Sequence, residues 1–74
     1  MTHDLAWDAG DMGCGELVVK LKLLLQKDVP AGGVVKLTAT DPGVRLDLPA
    51  WCRLTGHTLI EHEPPVYFIR RKEE

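Results

Sequence analysis

The chain has 74 residues, enough for one small domain spanning 1–74 and too few for a second. Hydrophobic residues make up 45% and charged residues 27%, the balance of a folded domain rather than a disordered segment. A net charge of −2 gives no footing for general nucleic-acid binding. The longest apolar stretch, Leu17 to Leu25, is interrupted by Lys20 and Lys22 and is too short to span a bilayer. The start, Met1-Thr2-His3-Asp4, has neither the basic region nor the apolar core of a signal peptide, so a cytoplasmic location is expected. In a reducing compartment two cysteines are expected as free thiols.

Leu5, Trp7 and Ala9 alternate with polar or small residues and predict a short strand with one buried face. Gly10 and Gly13 then bracket a turn. From Cys14 or Gly15 to about Lys27 the spacing is helical. Leu17, Leu21, Leu24 and Leu25 form the apolar face, and Lys20, Gln26 and Lys27 lie opposite. Glu16 in the first turn and Lys27 in the last suit the helix dipole. Val29 to Gly33 reads as a loop.

Val34 to Thr40 alternates again, with Val35, Leu37 and Ala39 on one face of a second strand. Asp41-Pro42-Gly43 reads as a turn. A second, short helix is expected from Asp47 as N-cap, with Pro49 in its first turn and Gly56 as its stop. Its packing stripe would comprise Leu48, Trp51, Cys52 and Leu54. Thr58–His62 and Val66–Arg71 predict two closing strands around Glu63-Pro64-Pro65. The order β-α-β-α-β-β suits an α/β two-layer sandwich: a four-stranded mixed sheet with both helices on one face. The first two strands should be parallel and the last two antiparallel.

Chemistry concentrates at Cys14. A helix start presents free backbone N–H groups and the positive end of the dipole. Both favour a thiolate, the reactive form of cysteine. Gly13 and Gly15 leave the sulfur sterically open, and Glu16 opposes ionisation, so a modest lowering of the thiol pKa is expected. Asp8, Asp11 and Glu16 would form an acidic rim suited to a partner with a positive surface. Cys52 fits a packed core thiol, with a resolving cysteine as the alternative. His3, His57 and His62 match no zinc spacing, so neither metal nor cofactor is expected. Trp7 and Trp51 are expected as core anchors.

Several stretches, in order and at matching spacing, resemble the TusA/SirA-like sulfur-carrier (sulfurtransferase) family. Asp8 stands six residues before Cys14, where the family has Asp before a Cys-Pro-x-Pro motif. Asp41-Pro42, Asp47-Leu48-Pro49-Ala50-Trp51-Cys52, His57-Thr58-Leu59 and Tyr67-Phe68-Ile69-Arg70-Arg71 follow the family's downstream pattern. Gly15 and Leu17 stand where that motif has its two prolines. The resemblance implies a sandwich like the C-terminal domain of translation initiation factor 3. It also implies that Cys14 carries sulfane sulfur as a persulfide; Gly13, Gly15 and Glu16 are read from the residues themselves as supporting the thiol. The donor would be a cysteine desulfurase or rhodanese-like protein and the acceptor another protein, with the carrier a monomer. Destinations in the family include tRNA thiolation, molybdenum-cofactor maturation and sulfur metabolism. Two other readings stay open: an interaction or regulatory module that keeps the fold without transfer, and a redox protein pairing Cys14 with Cys52.

Overall fold

The computed structural model describes residues 2–73; Met1 and Glu74, the ends of the predicted domain, lie outside the described residues. Six elements follow in the expected order: β1 (Leu5–Gly10), α1 (Cys14–Lys27), β2 (Val34–Ala39), α2 (Pro42–Thr55), β3 (Thr58–Glu63) and β4 (Val66–Arg70). The sheet runs β1-β2-β4-β3. β1 and β2 are parallel, and β4 lies antiparallel between β2 and β3. The closing hairpin therefore folds its last strand into the middle of the sheet and leaves β1 and β3 as the edges.

Alternation along the strands decides which face is covered. Val35, Leu37 and Ala39 of β2, with Tyr67 and Ile69 of β4, are buried. They share one core with Leu17, Leu21 and Leu25 of α1 and Val44, Leu48 and Cys52 of α2. Both helices thus cover the same face, as a two-layer sandwich requires. The stripe on α1 is i, i+4, i+8, and so is the stripe on α2, each a single line of a 3.6-residue repeat.

Three details differ from the expectations. First, α2 begins six residues earlier than Asp47. Asp41 is its N-cap and accepts a 3.2 Å hydrogen bond from the Gly43 N–H, with Pro42 in the first turn. Asp41-Pro42-Gly43 is therefore a helix start and not a free turn, and Pro49 lies inside the helix. The cause is packing: only the early start brings Val44, fully buried, onto the stripe with Leu48 and Cys52. Second, Leu54 is 86% exposed, because it lies off that stripe. Third, Trp7 and Trp51 pack against the margin of the core, and the largest fully buried side chain is Tyr67.

The helix stop is as expected. Gly56 is the C-cap at φ 90°, a left-handed conformation that costs glycine little, and its N–H reaches the Cys52 carbonyl. Gly33 is needed for space instead. A β-carbon there would lie 2.8 Å from the Pro30 carbonyl oxygen and from a Val29 methyl group. No helix among the described residues is long and apolar enough to cross a membrane.

Candidate functional site at the start of the first helix

β1 ends at Gly10, whose φ of 60° turns the chain away from the sheet. The Asp8 carboxylate accepts the Gly10 N–H at 2.9 Å, and the Met12 N–H returns to the Ala9 carbonyl at 3.2 Å. This turn places Cys14 as the first residue of α1. Gly13, the N-cap, has extended backbone angles and contributes no side-chain cap. Its carbonyl accepts the Leu17 N–H at 2.9 Å, so the helix proper is closed one turn later.

Cys14 is a free thiol of intermediate exposure and packs partly against the core. A β-carbon built at Gly13 or at Gly15 would meet no atom within 4 Å. The space a side chain would occupy at either glycine beside Cys14 is therefore open. Leu17, at the second proline position of the resembled motif, is fully buried and heads the core stripe of α1. Its apolar side chain anchors the end of the helix that carries the thiol.

The electrostatics run against expectation. The Cys14 pKa is raised, first by burial, then by hydrogen bonding to Asp47 and by the charges of Asp47 and Asp41. Helix N–H groups favour the thiolate, but two carboxylates from the neighbouring helix and partial desolvation favour the thiol. The predicted rim plays a smaller part. Asp8 is bound to the turn, and Glu16 pairs with Lys20 at 3.3 Å along α1. Exposed helical pairs of this kind add only about 0.3–0.5 kcal/mol. Asp41 and Asp47 lie 27 and 33 residues from Cys14 in sequence, too far for local spacing to link them to it. The available signal was that both stand at helix-start motifs, because a helix start on one element can face a helix start on the next.

Cys52 is buried, 2% exposed, in the last turn of α2, and burial pushes its thiol up to about 11. Both cysteines are free, so the structure brings no redox pair together. No group of three or more acidic, histidine or cysteine residues suited to a metal occurs among the described residues. His57 follows the α2 stop, its Nδ1 accepts the Lys72 backbone N–H at 3.1 Å, and its ring lies 5.4 Å from that of Trp51. Burial and the charges of Lys72 and Arg71 lower its pKa. It holds the end of the chain to the helix corner. A depression of about 440 Å³ lies between the C-terminal halves of the helices, bordered by Lys22, Trp51, Leu54, His57 and Arg71; Cys14 does not line it. Cys14 is the partly exposed thiol of the two, at the start of α1.

Comparison with known proteins agrees with this arrangement. The family described as Sulfurtransferase TusA matches residues 7–71, from β1 past the end of β4. The sulfur carrier protein TusA of Pseudomonas paraeruginosa is 38% identical over 80 aligned positions, covering all of both chains. That of Pseudomonas syringae pv. syringae is 37% identical over 78, covering 100% of this chain and 92% of its own. Another from Pseudomonas putida is 35% identical over 77, covering 99% and 95%. With the family match extending over nearly all of the chain and these relatives aligned over 92–100% of their lengths, the protein belongs to the TusA sulfurtransferase family.

Proposed function

We propose that this protein is a sulfur carrier in which Cys14 accepts a sulfane sulfur as a persulfide and passes it to an acceptor protein. The observation that carries the reading is the placement of Cys14: first residue of α1, a free thiol of intermediate exposure, with open space on both glycine flanks. A sulfur carrier must let another protein's cysteine approach within bonding distance, and a protruding helix start with no β-carbon beside it permits that approach.

The chemistry is thiol exchange. The Cys14 thiolate attacks the terminal sulfur of a donor persulfide, R–S–SH. A bond forms between the Cys14 Sγ and that sulfur as the R–S bond breaks, and the donor leaves as R–S⁻, which takes up a proton. Transfer to an acceptor thiolate repeats the step with Cys14 as the leaving group. No net oxidation occurs and no metal is required. Donors of the cysteine desulfurase or rhodanese class fit this step. The acceptor would serve tRNA thiolation, molybdenum-cofactor maturation or another branch of sulfur metabolism. We place the carrier in the cytoplasm as a monomer.

Intact mass spectrometry tests the reading after incubation with a cysteine desulfurase plus cysteine, and with thiosulfate plus a rhodanese. A gain of about 32 daltons, one sulfur atom, located at Cys14 is expected. Cys14→Ser should abolish the gain, and Cys52→Ser should retain it. An alkylatable Cys14 that gains no sulfur from any donor overturns the reading in favour of a binding module.

A further inference from the structure

The depression of about 440 Å³ between the C-terminal halves of α1 and α2 gathers cations. Lys22, Arg71 and Lys72 border it, and no Asp or Glu does. The chain as a whole has 9 Lys and Arg against 11 Asp and Glu, so the depression reverses the overall sign of charge. The helix dipole does not account for Lys22, which stands more than a turn before the end of α1 at Lys27. Lys22 is exposed, and no ion pair engages it among the described residues. Arg71 is held in place. Its backbone N–H donates to the Gly33 carbonyl at 2.8 Å, and its guanidinium donates to the Val29 carbonyl at 2.6 Å. A guanidinium carries five N–H donors, so most of them stay available to a ligand. His57 accepts the Lys72 backbone N–H on Nδ1 at 3.1 Å, which leaves the hydrogen of the neutral ring on Nε2, another donor. Burial, then the charges of Lys72 and Arg71, lower the His57 pKa, so a group on the wall already feels the positive field.

The same depression has an apolar side. Trp51 is half-buried, its ring 5.4 Å from that of His57 and tilted by 34°. Leu54 is 86% exposed at the rim, off the stripe that packs α2 on the sheet. We propose that this depression binds a small organic anion that carries a phosphate or carboxylate on a flat ring, with the charge between Lys22 and Arg71 and the ring against Trp51 and Leu54. The volume lies within the roughly 300–1,000 Å³ of small-molecule sites. A bare inorganic anion would use the cations and leave Trp51 and Leu54 in water. A long polyanion would meet the excess of acid on the rest of the chain. The site is separate from the thiol. Lys22 is eight residues along α1 from Cys14, about 12 Å at roughly 1.5 Å per residue, and Cys14 does not line the depression. The inference therefore stands apart from sulfur transfer, and a bound anion leaves Cys14 open to exchange.

Two-dimensional NMR of the full chain, titrated with AMP and separately with 2-naphthoate, tests the site and tells phosphate from carboxylate. Saturable shifts are expected at the Trp51 indole N–H and at the backbone amides of Lys22, Thr55 and His57 with at least one of the two probes. Saturation by one probe alone assigns the charged group. The bound anion should raise the His57 pKa by about half a unit, because it offsets the charges of Lys72 and Arg71. Adenosine and 2-naphthalenemethanol lack the charge, and inorganic phosphate and acetate lack the ring. Each should bind at least about tenfold more weakly than the matching probe. Lys22→Gln, at an exposed position that leaves the core intact, should weaken binding about three- to tenfold, and Lys22→Arg should restore it. A lysine that only solvates the surface would leave the affinity unchanged in both variants. No saturable shift at these residues with either probe overturns the inference. So does an uncharged or ringless control that binds as tightly as its probe, an unmoved His57 pKa at saturation, or an affinity indifferent to Lys22→Gln.

Discussion

Cys14 and Cys52 are both thiols with raised pKa values, and the causes differ in a way that matters for reactivity. Cys52 lies in the last turn of α2, on its buried stripe, and desolvation alone lifts it to about 11. Nothing short of opening the core changes that. Cys14 is raised by partial burial together with the carboxylates of Asp47 and Asp41. The carboxylate contributions depend on charges at the surface, and a docked partner or a salt ion can cancel them. Burial is the first cause at both thiols, and only at Cys14 do neighbouring charges add to it. A raised pKa is thus no sign of an idle cysteine; its source decides.

Differential labelling puts the largest number on this contrast. At pH 8 a thiol of pKa about 11 is ionised to about one part in a thousand. The lesser ionisation and the burial of Cys52 together should make iodoacetamide modify Cys14 at least about tenfold faster than Cys52 in the folded protein. In denaturant the two rates should converge to within a few-fold, because both the desolvation and the α2 carboxylates are then removed. Peptide mapping after a timed quench measures the ratio. Comparable folded-state rates would break the comparison, by showing that α2 opens readily enough to expose Cys52.

The same contrast shows where the sequence was legible. Periodicity is a local property, and it located β1, α1, β2 and the closing hairpin to within a residue or two of their observed bounds. The placement of Cys14 at the start of α1 was legible because a cysteine at a glycine-flanked strand-to-helix junction is a local pattern too. The start of α2 was not. Asp41-Pro42 and Asp47-Leu48-Pro49 both have the composition of a helix start, and the chain alone offers no ranking between them. Burial of Val44 against the sheet chooses the first, which is tertiary information. The direction of the Cys14 pKa shift failed for the same reason. Burial of the thiol is the first cause and is set by tertiary packing; Glu16, its neighbour in sequence, is paired along its own helix, and the charges that add to the shift arrive from the start of the next helix. Displacing the α2 start to Asp47 would have treated that residue as a cap, and so hidden its availability to the thiol.

Asp41 joins the two thiol environments, since it caps the helix that buries Cys52 and adds charge near Cys14. Asp41→Ala removes the hydrogen bond to the Gly43 N–H and should cost about 1 kcal/mol of stability, within the range of about 0.5–2 found for such caps. Denaturant melts read this directly. The same variant should lower the pH midpoint of Cys14 alkylation by less than Asp47→Asn does, because Asp41 acts on the sulfur through charge alone. A larger shift from Asp41→Ala than from Asp47→Asn would reverse that order.

The smallest expected effect tests whether steric openness at Cys14 is a requirement or only a circumstance. Gly15→Ala adds a β-carbon where no atom lies within 4 Å, at a helical position where glycine costs conformational entropy. Stability should rise by about 0.5–1 kcal/mol. The methyl group adds no charge and displaces nothing, so alkylation by a small reagent should stay within about twofold of the original rate. Sulfur loading from a protein donor is the sharper readout, because the donor's surface must come much closer than iodoacetamide requires. Alkylation unchanged with loading slowed would make the missing β-carbon part of the docking geometry. Both unchanged would make the missing β-carbon a circumstance, with the glycine only permitting access.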